Sequence, residues 1–239
     1  MEELLMVTIC RLLRDVSHVT TGMASPIPTG GALLHRALSE QPVRVSVLAN
    51  QSLNAFTSGG SEVFNLAAQG RIGAFFLSGG QIDGSGNINL VGVGEYPQMQ
   101  VRWSGSFGSG FLYYLVPRVI LFRLEHSRRT MVKQIDFVSA PGTSPPGVHR
   151  PGGPYALITN LCLFMFDREK GRFRLESVHE GYSVDDVIEN TGFEFELPSE
   201  VSQTPLPTER ELALLRELVA PELAQAYPVF SQAVFQASR

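Results

Sequence analysis

Three polar residues, Asn50, Gln51 and Ser52, directly follow the β-branched run "VRVSVLA" at 43–49. Such a run is typical of a strand that is buried on both faces, and open α/β sheets bind ligands at the carboxyl ends of their strands. The three side chains can donate and accept hydrogen bonds, but none of them is strongly nucleophilic. We therefore predict Asn50, Gln51 and Ser52 as the candidate catalytic residues at this edge of the sheet.

Two glycine-rich stretches form the second group of candidates. The first, "SGGQIDGSGNINLVGVGEY" at 78–96, holds six glycines, and "WSGSFGSG" follows at 103–110. Glycine lets a backbone come close to a ligand and aim N–H groups at a carbonyl oxygen or a phosphate, although it also serves plain tight turns. The predicted substrate-binding and oxyanion residues are Ser78, Gly79, Gly80, Gln81, Asn87, Gly105, Ser106 and Gly108.

The sequence also excludes several kinds of site. Neither glycine stretch has the strand, GxGxxG and helix arrangement of dinucleotide folds, and no GxxxxGK[ST] motif occurs. Cys10 and Cys162 have no CxxC spacing and no histidine cluster nearby, so we predict two buried thiols and no metal site. We expect no bound cofactor.

Charge and hydropathy limit the possible partners. Nineteen basic and 23 acidic residues give the 239-residue chain a net charge of −4, without a basic block that could neutralise a phosphate backbone. The apolar runs are short and interrupted by arginine, and the N-terminal "MEELLMVTIC" has no basic segment. We therefore expect a soluble, cytoplasmic protein that binds neither nucleic acid nor membrane.

The first half of the chain alternates helices and strands. "EELLMVTICRLLRDV" predicts a helix and "HVTTGM" a strand; a helix from Gly31 to Ser39 and the strand "VRVSVLA" come next. In the helix "SEVFNLAAQGR", Ser61 is the predicted cap and Glu62 lies in the first turn; "IGAFFLSGG" is the next strand. This alternation indicates an α/β fold with an open, mainly parallel sheet flanked by helices.

The second half predicts strands at "RVILFRLEH" and "KQIDFVSAPG", followed by a loop rich in proline and glycine at 141–154. "YALITNLCLFMFD" then pairs with "FRLESVHEG" as a hairpin. "SVDDVIENTG" is a short helix with Ser183 as its cap and Gly192 at its end, and "PTERELALLRELVAPELAQAY" is a closing helix. The length of 239 residues allows one large α/β domain or two small ones, and we predict a single domain over 1–239.

The first glycine-rich stretch, the "KQIDFVSAPG" strand and the segment "VDDVIENTGFEFEL" together resemble the β subunit of family I CoA-transferases, with glutaconate CoA-transferase as the type. The run Ser78-Gly79-Gly80-Gln81-Ile82-Asp83, followed by Gly86-Asn87-Ile88-Asn89, is similar to the family's Gly-Gly-Ala-Gln-Ile-Asp and Gly-Asn-Val-Asn. Gly105-Ser106-Phe107-Gly108 stands where the family has Gly-Ser-Gly-Gly, and Glu189-Asn190-Thr191-Gly192-Phe193 also agrees. The resemblance extends over nearly the whole chain.

The resemblance implies the open α/β fold that CoA-transferases share with small sugar-phosphate isomerases. It also implies a homologous α subunit that completes the active site, in an α2β2 or larger assembly. The implied substrate is an acyl-CoA thioester, with coenzyme A as part of that substrate and the glycine loops as its binding residues. By the same resemblance, Arg128 and Arg129 match a paired arginine of the family.

The family's transfer reaction needs a glutamate at the end of one β-subunit strand, whose carboxylate attacks the thioester and then carries CoA between two acids. The matching position falls at or near Asn50, and no acid lies between Glu40 and Glu62. An amide cannot form the same anhydride. The resemblance therefore implies that ordinary CoA transfer is lost and that hydrogen bonding or shape has to suffice at Asn50.

Two offshoots of the family lack this glutamate. One hydrolyses a carbon–carbon bond in a steroid-ring CoA thioester, and the other decarboxylates a methylglutaconyl-CoA; the local run Leu48-Ala49-Asn50-Gln51-Ser52-Leu53 looks like a shorter form of the decarboxylase's Leu-Ala-Cys-Val-Gly-Ser-Leu. We predict an enzyme subunit, a lyase (decarboxylase of a glutaconyl-type CoA) or a hydrolase, active only with an α subunit. The alternatives are a genuine CoA-transferase of the glutaconate type and a non-catalytic, CoA-binding scaffold subunit.

Overall fold

The structure is a computed structural model that describes residues 1–48, 50, 52–54 and 56–235. Its contacts group the chain into two compact units. The first unit comprises Met1–Leu66, Arg71–Phe76 and Pro205–Arg239, and the second comprises Ala67–Gly70 and Leu77–Thr204. The prediction of a single domain over 1–239 stays a prediction.

Helices and strands alternate along the first half of the chain, as predicted. The helices are α1 (Glu2–Leu12), α2 (Pro26–Leu38), α3 (Gly60–Ala68), α4 (Ser109–Leu115), α5 (Val184–Asn190), α6 (Glu209–Leu214), α7 (Ala220–Ala226) and α8 (Pro228–Phe235). A π-helical turn, Leu215–Val219, joins α6 to α7.

The longer strands are β1 (His18–Thr21), β2 (Arg44–Val47), β3 (Ala74–Leu77), β8 (Arg118–Phe122), β9 (Pro154–Ile158), β10 (Cys162–Asp167) and β11 (Arg172–Val178). Two-residue strands are β4 (Gln81–Ile82), β5 (Ile88–Asn89), β6 (Gly92–Val93), β7 (Val101–Arg102) and β12 (Ser202–Gln203). The strands of the main sheet are mainly parallel and flanked by helices, so the predicted α/β fold class is confirmed.

In the first unit, β1 lies between β2 and β3 and pairs in parallel with both, with Val19 opposite Val45 on one side and Ala74 on the other. All four residues of β1 are buried. A strand that is covered on both faces is mostly apolar or β-branched, which explains the short continuous runs in this half of the sequence.

Helices α1 and α2 of the first unit pack closely because α2 carries two consecutive glycines at the contact. A Cβ atom at Gly30 would lie 2.5 Å from the Met6 sulfur, and one at Gly31 would lie 2.4 Å from Ile9 Cγ2. A side chain at either position would collide with α1. These glycines therefore serve helix packing, and the stretch "TGGALL" is explained without a ligand.

In the second unit, β8 and β9 are parallel, β10 is antiparallel to both β9 and β11, and β11 is parallel to β12. Phenylalanines fill the space beside the β10–β11 hairpin: Phe164 lies 5.0 Å from Phe195 and 6.0 Å from Phe173, measured between ring centroids. The predicted hairpin is confirmed. Its strands turn at Arg168–Gly171.

The structure corrects three of the predicted elements. Helix α2 begins at Pro26, not at Gly31; proline at the start of a helix lacks only an N–H that would have no partner there, so it does not delay the helix. "YALITNLCLFMFD" is two strands, because the Thr159 hydroxyl accepts the N–H groups of Leu161 and Cys162 at 3.1 and 3.2 Å and turns the chain between β9 and β10.

The third correction concerns "KQIDFVSAPG", which is not a strand. Only isolated bridges occur around it, at Met131 and Ala140. Some of its backbone N–H groups form hydrogen bonds with side chains instead. The N–H of Asp136 donates to Gln81 Oε1 at 2.9 Å, and the N–H of Gly142 donates to Asn87 Oδ1 at 2.9 Å. Alternating apolar residues predicted a strand, but its hydrogen bonds go to the glycine-rich loop.

The ends of the chain belong to the first unit. Arg11 of α1 makes a two-point ion pair with Glu211 of α6, at 3.1 and 2.8 Å, and Arg216 makes a similar pair with Glu3. Among the described helices, none combines the length and apolar character that crossing a bilayer requires.

Candidate active-site loops

At the carboxyl end of β2 the chain turns back around Asn50. Asn50 Oδ1 accepts hydrogen bonds from the backbone N–H groups of Ser52 at 3.0 Å and Leu53 at 2.8 Å. The N–H of Val47 donates to the Leu53 carbonyl at 3.1 Å and closes the turn onto the strand. Because both partners of the amide are donors, the atom that faces them is the oxygen, and the Nδ2 group is the end left over. The half-buried Asn50 therefore presents a hydrogen-bond donor.

The other two predicted catalytic residues of this loop are Ser52 and Gln51. Ser52 is exposed, and no part of the chain that the structure describes hydrogen-bonds its hydroxyl group. A serine hydroxyl without a base is a weak nucleophile at neutral pH. Gln51, the third predicted catalytic residue, lies outside the described residues.

The nearest acid after this loop, Glu62, is occupied by its own surroundings. Its Oε2 accepts the N–H groups of Thr57 at 2.7 Å and Ser58 at 2.9 Å. These two hydrogen bonds lower the pKa of the exposed Glu62 carboxyl below its ordinary value. The predicted cap Ser61 is wrong, because α3 begins at Gly60 and the Ser61 hydroxyl instead donates to the Ser58 carbonyl. Glu62 thus stabilises the start of α3, as predicted from its place in the first turn.

A residue that the sequence did not reveal supports the neighbouring loop. The Tyr227 hydroxyl donates to the carbonyl of Met23 at 2.8 Å, lies 3.3 Å from that of Gly22, and accepts from the N–H of Ser25 at 3.4 Å. This loop follows β1. The carbonyl of Thr21, the last residue of β1, accepts the N–H of Leu48 at 3.0 Å. No local pattern marks Tyr227, since it lies about 200 residues further along the chain.

His18 lies at the opposite, amino-terminal end of β1. Its Nδ1 is 2.9 Å from the Arg71 carbonyl and its Nε2 is 3.0 Å from Ser46 Oγ. Burial lowers the pKa of the imidazole. A neutral histidine with both nitrogens hydrogen-bonded at the far end of the strands is a structural residue.

In the second unit, a short stretch of backbone, Asn89–Val91, anchors both glycine loops. Three consecutive carbonyl groups accept N–H groups from them: Asn89 from Gly80 at 2.9 Å, Leu90 from Gly105 at 3.2 Å and Val91 from Trp103 at 2.9 Å. The structure therefore brings the two predicted loops together. It also uses the amides of Gly80 and Gly105, so these two N–H groups are not open to an oxyanion in this arrangement.

Close packing explains why two of these positions are glycine. A Cβ atom at Gly80 would lie 2.1 Å from the indole ring of Trp103, and one at Gly79 would lie 2.6 Å from Ile88 Cγ2. Contacts below 3.0 Å require the neighbour to move. The Trp103 ring thus covers the backbone of the first loop.

Gln81 is buried and belongs to a network inside the loop. Its Oε1 accepts from Asn89 Nδ2 at 2.7 Å and from the N–H of Asp136 at 2.9 Å. Asn89 itself is fully buried and also bonds the Gly92 carbonyl at 2.7 Å. These amides hold the β4–β5 hairpin to the segment after Met131, so the Gln81 oxygen has a structural task.

Asn87 has a similar task. Its Nδ2 donates to Asp83 Oδ2 at 3.0 Å and its Oδ1 accepts the N–H of Gly142 at 2.9 Å. Asp83 Oδ1 accepts the backbone N–H groups of Ser85 and Asn87 at 3.0 and 3.1 Å. Both ends of the Asn87 amide are therefore used to fix the Asp83–Asn87 turn.

The remaining candidates keep more of their polar groups open. Ser78, at the end of β3, is exposed, and Ser106 and Gly108 are half-buried. The Ser106 carbonyl accepts the N–H of Ser109 at 2.8 Å, but across the described ranges no acceptor is found for the N–H groups of Ser106 and Gly108. Phe107 between them has a positive φ of 43° and a side chain that is 90% exposed. This turn offers donors to a ligand.

The two arginines that matched the family have partners within the protein. Arg128 Nε donates to the Glu189 carbonyl at 2.6 Å, and Arg129 makes a 2.7 Å ion pair with Glu125. The Arg129 guanidinium lowers the pKa of the Glu125 carboxyl.

The two cysteines are not part of the candidate site. Cys10 and Cys162 are free and buried, as predicted, and burial raises the pKa of the Cys10 thiol to about 12. Such thiols are unreactive at neutral pH. Within the described residues, histidine, cysteine and acidic side chains form no group of three that could hold a metal ion.

A model of the coenzyme A transferase family matches residues 6–190, which is most of the chain and includes both glycine loops and the turn at Asn50. The chain belongs to this family. Because the match extends from α1 to the end of α5, the family assignment rests on elements of both compact units.

Named relatives point to the B subunits within this family. The chain is 37% identical over 166 residues to the B subunit of 3-oxoadipate CoA-transferase from Pseudomonas knackmussii, covering 66% of this chain and 64% of the relative. It is 31% identical over 153 residues to the B subunit of glutaconate CoA-transferase from Acidaminococcus fermentans, covering 61% and 56%. The matches thus span less than two thirds of the length of either relative.

Other relatives and solved structures include a hydrolase subunit, a CoA-transferase and a decarboxylase. The chain is 29% identical over 164 residues to the cholesterol ring-cleaving hydrolase IpdB subunit of Rhodococcus jostii, covering 67% and 64%. The fold matches glutaconate CoA-transferase from A. fermentans with a TM-score of 0.80, at 23% identity over 94% of this chain and 96% of that one. It matches the decarboxylase AibA/AibB with a TM-score of 0.77, at 22% identity over 90% and 92%.

These matches confirm the predicted resemblance to the B subunits of the CoA-transferase family and the predicted fold class. At identities below 25%, the solved structures support the fold alone. Which chemistry the chain takes part in depends on its own residues.

Proposed function

We propose that this chain is the β-type subunit of a two-chain enzyme that acts on an acyl-CoA thioester without transferring CoA. The reaction is decarboxylation of a glutaconyl-type CoA or hydrolysis of a carbon–carbon bond. A homologous α subunit completes the active site. The name AibA/AibB and the name of the glutaconate CoA-transferase B subunit describe proteins of more than one subunit, which supports this partner.

One observation carries the proposal. At the end of β2, where the resemblance places the transferase glutamate, the side chain is the Asn50 amide with its oxygen held by two backbone N–H groups. What remains is an NH2 group, which can donate a hydrogen bond but has no electron pair suited to attack on a thioester. The nearest following acid, Glu62, is held by Thr57 and Ser58.

Decarboxylation suits a site built from donors. When CO2 leaves a vinylogous acyl-CoA, the electron pair of the broken bond moves into the thioester and places negative charge on its oxygen. Hydrogen-bond donors fixed before the reaction stabilise this charge most strongly where water is excluded. The Asn50 NH2 group is such a donor, because the turn after β2 orients it in advance by holding the amide oxygen with two backbone N–H groups.

Hydrolysis of a carbon–carbon bond makes the same demand on this chain. A base has to activate water. The sequence from Gln41 to Ser61, which contains the turn at Asn50, has no acid and no histidine, so the α subunit would provide the base. The donors of this chain would again stabilise negative charge on the thioester oxygen. The 29% identity to a ring-cleaving hydrolase subunit supports this second form of the reaction.

Genuine CoA transfer is the second candidate function. It is favoured by the 37% identity to the B subunit of a 3-oxoadipate CoA-transferase. Transfer would require a carboxylate nucleophile in place of the Asn50 amide.

The test is to co-express the chain with its α partner and to incubate the complex with glutaconyl-type CoA thioesters, with and without acetate. We expect CO2 to be released at the same rate in both cases. Glutaconate CoA-transferase, treated in parallel, should form acetyl-CoA only with acetate. Rapid acetate-dependent formation of acetyl-CoA by this complex would overturn the proposal and establish transfer.

A further inference from the structure

An open cavity of about 200 Å³ lies in the second unit, beside the loop at 142–154. Two arginines, Arg150 and Arg168, line it together with the hydroxyl-bearing residues Thr143 and Ser144. Phe166 provides an apolar wall. None of these residues belongs to the candidate active-site loops.

Arg150 is held firmly, but by neutral groups. Its Nε donates to the Gly152 carbonyl at 3.1 Å, and its Nη2 donates to the carbonyls of Pro141 at 2.7 Å and Tyr113 at 3.2 Å. Its Nη1 lies 3.4 Å from Ser144 Oγ. Carbonyl groups orient the guanidinium without neutralising its charge.

Arg168 is bound in the same way and keeps more donors. It donates through Nη1 to the Pro151 carbonyl at 3.3 Å and through Nη2 to the Pro117 carbonyl. A guanidinium has five N–H groups, so three of them remain. Arg168 is exposed to solvent, which gives a ligand access.

Neither positive charge is balanced locally. Over the part of the chain that the structure describes, no carboxylate pairs with Arg150 or Arg168. Asp167, next in sequence to Arg168, accepts the N–H groups of Glu169 and Lys170 instead. Partial burial lowers the pKa of both guanidiniums, and the charge of Arg168 lowers that of Arg150 further. The two guanidinium groups repel each other. An anion bound beside both of them would relieve this repulsion and form charge-assisted hydrogen bonds with both.

The walls of the cavity are fixed by structure already described. Asn87 Oδ1 holds the N–H of Gly142, and Gly142 packs so closely on the Asp83–Asn87 turn that a Cβ atom would lie 2.1 Å from the Ser85 carbonyl. A Cβ at Gly86 would lie 3.0 Å from Pro154 and 3.2 Å from Phe166. The arginines therefore line a cavity whose shape is built before any ligand arrives.

We propose that this cavity is a binding site for a phosphate group, with Arg150 and Arg168 as its charged ligands and Thr143 and Ser144 as hydroxyl donors. Guanidinium groups with hydroxyl donors match the tetrahedral, multiply charged phosphate better than a neutral ligand. The phosphate is either free in solution or part of coenzyme A. The site does not depend on the proposed reaction.

The test is calorimetric titration of the full chain with inorganic phosphate at constant ionic strength. We expect saturable binding that Arg168→Gln weakens at least tenfold. The matched control is Arg172→Gln, which removes the same charge from an exposed residue outside the cavity. Circular dichroism monitors the fold, and Arg150→Lys, which keeps the charge but loses the planar fork, should weaken binding as well. No saturable binding, or equal binding by the Arg168 and Arg172 variants, would overturn the site.

Competition distinguishes the two sources of phosphate. If the phosphate belongs to coenzyme A, CoA should displace inorganic phosphate, and Arg168→Gln should weaken CoA more than dephospho-CoA. If the phosphate is free, neither nucleotide should displace it. Because the readout is binding and not turnover, failure of this site and failure of the proposed reaction can be told apart.

Discussion

The two ends of the Asn50 amide have different tasks. The oxygen forms the turn after β2, and asparagine is well suited to this because its side chain can replace a backbone carbonyl in a turn. The NH2 group is the part available for chemistry. A glutamate at this position would instead offer a carboxylate that attacks thioesters. The choice between amide and carboxylate therefore separates charge stabilisation from covalent transfer.

Asn50→Asp separates these two tasks. The aspartate keeps an oxygen for the Ser52 and Leu53 N–H groups but replaces the donor by a negative charge. We expect a normally folded complex whose kcat/KM falls at least tenfold, which is about 1.4 kcal/mol in the barrier. Steady-state kinetics with the co-expressed complex provides the measurement.

The control for this variant is Asn54→Asp. Asn54 Oδ1 also accepts a backbone N–H in the same loop, from Phe56 at 3.0 Å, so the substitution makes the same change of charge at a position with no proposed role. Turnover should stay near that of the unmodified protein. If Asn50→Asp were equally silent, Asn50 would be only a turn residue and the proposed donor role would be wrong.

Gly80 offers a second prediction at this scale. Alanine there would place its Cβ 2.1 Å from the Trp103 ring, so the indole has to move away from the first glycine loop. We expect Gly80→Ala to lower the free energy of unfolding by about 1–3 kcal/mol, as overpacking does. Urea denaturation measures this change.

A double variant shows whether the collision is the cause. Gly80→Ala combined with Trp103→Leu should be more stable than Gly80→Ala alone, because the smaller side chain removes the contact. If Trp103→Leu only adds its own destabilisation, the Gly80 position is constrained by something other than the indole.

At the scale of elements, two buried histidines stay neutral: His126 in the segment after β8 and His179 directly after β11. His126 bonds the hydroxyls of Thr159 and Thr191, each at 2.8 Å, and His179 bonds Thr204 at 2.8 Å and the Thr159 carbonyl at 3.1 Å. Burial lowers the pKa of each imidazole to about 4. These histidines join β9 and β10 to the ends of α5 and β12.

This predicts that the fold is sensitive to acid. Because the unfolded imidazoles have an ordinary pKa of about 6.5, the unfolded chain binds more protons between pH 6.5 and pH 4, and stability falls as the pH is lowered through this window. Each histidine contributes roughly 3 kcal/mol to this loss by pH 4. Above pH 6.5 neither histidine adds to the pH dependence.

Urea unfolding at a series of pH values between 7 and 4 measures the effect. His126→Asn should reduce the slope of the unfolding free energy against pH, even if it lowers stability at pH 7. Replacing the exposed His149 by glutamine should leave the slope unchanged. A slope that His126→Asn does not alter would assign the acid sensitivity to other groups.

The elements also show what the sequence could and could not predict. Apolar periodicity located α1, β1, β2, β3, the β10–β11 hairpin and α5, whose cap Ser183 is confirmed by its bond from Asp186. It failed at 133–142, where the backbone bonds amide side chains of the distant loop at 81–87. Such non-local partners, like Tyr227 on the loop at 22–25, leave no trace in local spacing.

The candidate site, too, could be predicted from the sequence only in part. The glycine loops and Asn50 could be singled out from sequence, but their roles could not. The structure assigns the amides of Asn87 and Gln81 to internal bonds, because it shows both partners. It leaves Ser106 and Gly108 as open donors, which no residue pattern distinguishes from Gly80 and Gly105.

At the scale of the whole molecule, we propose that this chain is one subunit of a two-chain enzyme. It stabilises negative charge on the substrate and forms no covalent bond with it. The α2β2 or larger assembly implied by the family resemblance stays a prediction. The donors of this chain would then act only in the complex with its α partner. The chain alone should bind substrate or phosphate without turning substrate over.

The most direct test of this proposal is to search this chain for a covalent CoA adduct. The complex is incubated with its acyl-CoA, quenched rapidly and separated, and the intact mass of each chain is measured, with glutaconate CoA-transferase from A. fermentans as the positive control. We predict no CoA-bound form of this chain and no inactivation by borohydride during turnover. A borohydride-sensitive CoA thioester on this chain would show that it carries a transferase nucleophile, and it would contradict the assignment of Asn50 as a donor.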